Sequence, residues 1–105
     1  MKTQTMILLA LGLAAAPLGE AAWEDGKKRL KPLTDDTKAK VLAALPAKAT
    51  AKPKKPRRIL VFYRCETFVH GSIVAGNFAM QELGRKTGAY TADLADEYSV
   101  FNEAN

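Results

Sequence analysis

Arg57-Arg58-Ile59-Leu60-Val61-Phe62-Tyr63-Arg64-Cys65-Glu66-Thr67-Phe68-Val69-His70-Gly71-Ser72-Ile73 reads as a β-strand, a polar turn and the start of a helix. Ile59 to Tyr63 is a continuous run of β-branched, aliphatic and aromatic residues, with Arg57 and Arg58 solvated ahead of it. Such a run suits a strand covered on both faces, as in a parallel sheet. Polar residues follow at its carboxyl end, which is where open α/β sheets place their ligands. The only Cys and the only His of the chain, Cys65 and His70, both fall in this turn.

Downstream, Ser72 is placed to cap a helix running to Lys86 or Thr87 and stopped by Gly88. Ile73, Gly76, Met80 and Leu83 recur at helical spacing and are expected to face the sheet. Gly76 and Gly84 each weaken a helix by about 1 kcal/mol relative to Ala, so both are expected to permit close packing. Tyr90-Thr91-Ala92-Asp93-Leu94 reads as a second, weaker strand, completing one βαβ crossover. Ser99 to Asn105 resembles the approach to a further element. About 48 residues cannot cover both faces of a parallel sheet. The segment 57–105 therefore reads as the N-terminal part of a longer domain.

Upstream of the strand the chain has a different character. Met1 to Leu18 opens on a cationic end, followed by an apolar run from Met6 to Ala16 and Pro17. The run is shorter than the roughly 20 residues needed to cross a bilayer. Gly19-Glu20-Ala21 offers small residues at the positions a signal peptidase reads, so residues 1–21 read as a secretory signal peptide cleaved after Ala21. A secreted or periplasmic protein follows, with no stable membrane anchor after cleavage; an uncleaved anchor is the competing reading. No Cys follows the apolar run, which argues against a lipoprotein.

Residues 22–56 read as a basic linker. Ala22 to Leu33 is expected to be irregular, with Trp23 its one large aromatic group. Thr34-Asp35-Asp36-Thr37 offers caps and acidic first-turn residues for a short helix at about 35–45, and Pro46 stops it. That helix either docks, on the domain or on a neighbouring chain, or is transient in a flexible arm. Ala47 to Pro56 is an extended, self-repelling Ala-Lys-Pro tract.

The 105 residues carry a net charge of +5, but unevenly. From Gly26 to Arg58, twelve basic residues face only Asp35 and Asp36, a net of +10. From Ile59 onward the net is −3, three basic residues against six acidic. The basicity belongs to the arm. No aromatic residues interleave its lysines, so nucleic acid is not an expected partner. A solvated spacer, in contact with acidic envelope polymers, suits an exported chain better.

Four stretches together resemble the start of a ThuA-like domain, the trehalose-utilisation family, which is similar in fold to class I glutamine amidotransferases. They are Ile59-Leu60-Val61-Phe62, Phe68-Val69-His70-Gly71-Ser72-Ile73, Glu82-Leu83-Gly84-Arg85-Lys86-Thr87-Gly88 and Ser99-Val100-Phe101. The most specific is the second, in the family's Gly-Phe-x-His-x-Ser-Ile pattern, from which this chain departs at Thr67, where glycine is usual. The signal peptide and Ala-Leu-Pro linker resemble exported bacterial members. The resemblance covers Arg57 to Asn105. It implies an α/β fold with a flavodoxin-like doubly wound parallel sheet, of which only the first βαβ unit is present, and a link to sugar metabolism.

Three residues are candidates for a ligand site at the strand ends. His70 can donate, accept or transfer protons, and is the candidate for catalysis; a structural histidine bonding the turn backbone is the alternative. Ser72 can bind a ligand or cap the helix. Arg64 can hold a carboxylate or sugar hydroxyls, or pair with Glu66. A Cys65-Glu66-His70 triad is rejected, because a nucleophile elbow needs small residues where Arg64 and Glu66 flank Cys65. With one Cys no intrachain disulfide is possible. Cys65 and His70 lack a second ligand pair, so no metal is expected. Neither phosphate-loop glycine motif is present, and no cofactor is expected. The expected partner is a carbohydrate or other small molecule, either transformed or only bound; an envelope interaction module is the third possibility.

Overall fold

The computed structural model describes residues 18–104, so most of the expected signal peptide lies outside the described residues. The elements run α1 (Leu18–Lys27), α2 (Asp35–Ala44), β1 (Arg58–Phe62), α3 (Ser72–Thr87), β2 (Thr91–Ala95) and a 3-10 turn at Tyr98–Val100. Helices thus combine with a parallel pair of strands, an arrangement compatible with the α/β class.

β1 and β2 pair in register from Arg58 against Thr91 to Phe62 against Ala95. The Tyr63 amide extends the ladder by donating to the Ala95 carbonyl at 3.0 Å. Side chains alternate across a strand, so Ile59, Val61 and Tyr63 share one face while Leu60 and Phe62 share the other. On the first face Gln81 of α3 donates to the Ala92 carbonyl, and Ile73, Asn77 and Phe78 line an open groove together with Tyr63 and Leu94. On the second face the Tyr98 and Phe101 rings pack on Phe62, with centroids 5.6 and 4.9 Å away. That cover is partial, because Leu60 stays 39% exposed. The expectation of a strand buried on both faces is not met: Ile59, Val61 and Phe62 are half-buried and Leu60 is exposed, so each face is only partly covered.

α3 begins and ends where its sequence dictates. Gly88 takes the left-handed conformation, φ 67°, that a residue with a Cβ resists, and its amide returns to the Gly84 carbonyl at 2.9 Å. Of the two helical glycines, only Gly84 is a close approach. A Cβ there would lie 2.6 Å from Tyr90 Cδ2, whereas one at Gly76 would meet open space. Gly76 is exposed, as is Met80, so the stripe facing the sheet is rotated by about one residue from Gly76–Met80–Leu83.

α2 starts at a Thr34 cap whose hydroxyl accepts from the Thr37 amide at 3.2 Å. It packs on α3, the docked arrangement of the two expected. The docking supplies what α2 lacks, a cation in its own last turn. Lys86 of α3 donates to the Leu42 and Leu45 carbonyls at 3.0 and 2.9 Å, occupying acceptors that the helix end leaves open. Residues 46–57 contain no helix or strand.

α1 is the departure from the sequence reading, which left residues 22–33 irregular. Glu20 sits in its first turn and Lys27 in its last, and Glu24–Lys27 and Asp25–Lys28 pair at 2.9 and 3.0 Å. The helix runs through the expected cleavage position after Ala21. Its packing explains why: Trp23 is fully buried, and with Val69 it forms the buried apolar core of the described residues. Gly26 is buried against Val69, and a Cβ there would lie 2.8 Å from Val69 Cβ.

Candidate functional site

The carboxyl ends of β1 and β2 lie side by side, and the turn after β1 carries all three sequence candidates. Arg64 follows the strand, and its side chain is only 3% exposed. Its Nε donates to Glu66 Oε1 at 2.9 Å, and a terminal nitrogen donates to the Asp96 carbonyl at 3.2 Å, so it ties the two strand ends together. Its guanidinium also stacks on Tyr98, 4.8 Å from the ring centroid. Tyr98 in turn donates its hydroxyl to the same Glu66 oxygen at 2.7 Å. That Tyr98 bond, with the Arg64 bond second, holds the Glu66 carboxyl below its ordinary range; the same Glu66 bond pushes the Tyr98 phenol up. Arg64 is thus engaged by protein on every side shown and has little surface left for a ligand.

His70 and Ser72 come together at the start of α3. The Ser72 amide donates to His70 Nδ1 at 3.0 Å, and the Ser72 hydroxyl lies 2.8 Å from the same nitrogen. An amide can only donate, so Nδ1 is an acceptor and the ring hydrogen is on Nε2. Ser72 is the first residue of the helix rather than its cap, and Gly71 at the cap position has no side chain to offer. The histidine therefore performs the capping expected of Ser72. It is also exposed, and Nε2 has no hydrogen-bond partner among the described residues. Beside it Phe68 is 73% exposed, with its ring edge-on to the imidazole at 6.1 Å between centroids.

The remaining polar groups of the turn are structural. Cys65 donates its thiol to the Phe68 carbonyl at 3.2 Å, closing the turn. No hydrogen bond joins Cys65, Glu66 and His70, so the rejected triad has no geometry here. Among the described residues only glycine adopts positive φ, so Thr67 does not need the backbone freedom of glycine. No group of three or more potential metal ligands occurs among the described residues.

The sequence reading missed the group that closes over the strand ends from the other side. Trp23 Nε1 donates to Asp96 Oδ2 at 3.0 Å, and Lys27 reaches the same oxygen at 3.3 Å. The Trp23 ring meets Tyr63 edge-on at 6.0 Å. Burial pushes the Asp96 carboxyl up, but the Trp23 and Lys27 bonds outweigh it and hold the carboxyl below its ordinary value. Lys27 is raised, first by its bond to Glu24. Burial, helped by the Asp96 charge, pushes the Tyr63 phenol up. α1 therefore covers the mouth at Tyr63 and Asp96, while Phe68, His70 and Ser72 remain open. Two signals pointed to this contact in the sequence: a lone Trp in a basic arm, and an Asp just beyond a strand end.

Comparison with known proteins finds no match: no protein-family model, no curated protein and no solved structure corresponds to this chain. Among the described residues no helix is long and apolar enough to cross a membrane.

Proposed function

We propose that this chain is an exported ThuA-like protein, built on a flavodoxin-like sheet, that binds a carbohydrate or sugar derivative at the Phe68–His70–Ser72 edge of the strand ends. What supports it most is the pairing of an exposed Phe68 ring with a histidine whose Nε2–H is free. A sugar offers the complement, an apolar C–H face for the ring and hydroxyls for a fixed donor. The same hydrogen bonds favour binding over turnover. With Nδ1 accepting from the Ser72 amide, Nε2 presents a hydrogen rather than the lone pair a general base requires. Arg64 and Ser72 then serve the site by holding the turn and the histidine.

The test is calorimetric titration of the full chain with a panel of neutral mono- and disaccharides, trehalose included. Phe68→Ala and His70→Gln are expected to weaken binding by about tenfold each, roughly the loss of one good contact. Unchanged affinity in both variants overturns the assignment. Turnover that vanishes in His70→Gln would instead make His70 catalytic.

A further inference from the structure

On the opposite side of the sheet, residues 48–58 pass the carboxyl end of α3 and the amino ends of both strands, bordering an open, solvent-facing cavity of about 1020 Å³. Lys48, Lys52, Lys54, Lys55 and Arg57 line it from the strap and Arg85 from α3, and no carboxylate lines it. Arg85 is paired with Glu82 and the lining Arg58 with Asp93, but the four lysines and Arg57 have no carboxylate partner among the described residues. None is near in sequence either, since no acidic residue occurs between Asp36 and Glu66. Like charges left unpaired in a concavity focus a positive potential there. Pro53 and Pro56 fix two backbone angles of the strap, lowering the ordering cost of any ligand it grips.

The shape and lining select among anionic partners. A bilayer is flat, and residues 47–57 hold no aromatic or large aliphatic group to enter its interface. Single-stranded nucleic acid asks for stacking platforms. The one aromatic lining residue, Tyr90, is instead pressed against Gly84, with its hydroxyl donating to the Met80 carbonyl at 2.8 Å. A linear acidic polysaccharide needs only successive cations for its carboxylates and a polar group for its hydroxyls. The Thr91 hydroxyl, whose bond to the Arg57 carbonyl is long at 3.5 Å, can accept from one, while Thr87 is held by the Leu83 carbonyl and the Ala89 amide. We propose that the cavity under the strap is a second site, separate from the one at His70, that binds a linear polysaccharide carrying uronate carboxylates.

The experiment is fluorescence anisotropy with a labelled oligogalacturonate at rising sodium chloride. Saturable binding that weakens with salt is expected. K52Q with K54Q should reduce affinity by about tenfold and flatten the salt dependence, whereas R29Q with K31Q, the same charge loss outside the cavity, should change it less than about twofold. Unchanged Trp23 emission verifies folding in both pairs. Equal losses in the two pairs, or no loss in the first, overturn the proposal. So does tighter binding of duplex DNA or phosphatidylglycerol vesicles under the same conditions. His70→Gln should leave oligogalacturonate binding intact, which separates failure at this site from failure at the other.

Discussion

At His70 the two ring nitrogens are committed to different tasks, one to the amide at the start of α3 and one to solvent. The first task predicts a stability effect that the second does not. His70→Ala should cost about 1 kcal/mol, as losing a helix cap does, while His70→Asn, which keeps a side-chain acceptor, should recover part of it. Thermal unfolding followed by helical circular dichroism reads both; equal melting of all three chains would remove the cap. The sequence places His70 and Arg64 in the turn between the first strand and the following helix, and both stand there. It could not show that Arg64 is consumed there, because its partners Tyr98 and Asp96 lie more than thirty residues away and become neighbours only once β2 is paired.

The elements separate into those written locally and those imposed by packing. The bounds of α3 and α2 follow from Gly88, Thr34 and Pro46, local chemistry that a sequence displays. α1 has no such signature beyond its charged ends, since its decisive interaction is Trp23 with groups at the far end of the unit. The helical glycines divide in the same way. Gly76→Ala should raise stability by about 1 kcal/mol, the ordinary helix-propensity gain at an open position. Gly84→Ala should lower it by about 1–3 kcal/mol, because the new methyl must displace Tyr90. Denaturant midpoints of the two variants should therefore move in opposite directions. Gly26→Ala is expected to destabilise as well, and adding Val69→Ala should relieve part of that loss, a coupling that a double-mutant cycle measures.

Over the whole molecule, the contact between Trp23 and Asp96 closes the described chain on itself across 73 residues. It should give way in acid. The Asp96 and Glu66 carboxyls both sit below their ordinary values of 3.8 and 4.5, so the folded state binds fewer protons than the unfolded one. Their contribution is fully present above the ordinary values and is lost as pH falls through the lower folded ones. Emission of Trp23, the only tryptophan, should accordingly stay constant from neutrality to about pH 5 and shift red below about pH 4. Asp96→Asn should blunt the shift, and emission constant down to about pH 2 would contradict the clasp. Charge is divided as sharply as structure: a strongly basic arm ahead of the strand, and a mildly acidic unit carrying the open edge with His70.

That edge is tested most directly by nitrogen-15 NMR of the single histidine during titration with the saccharide panel. The expected spectrum shows hydrogen on Nε2 and none on Nδ1, and a binding sugar should move the Nε2 resonance while leaving Nδ1 nearly in place. Hydrogen on Nδ1, or an Nε2 resonance that no carbohydrate moves, would contradict the account.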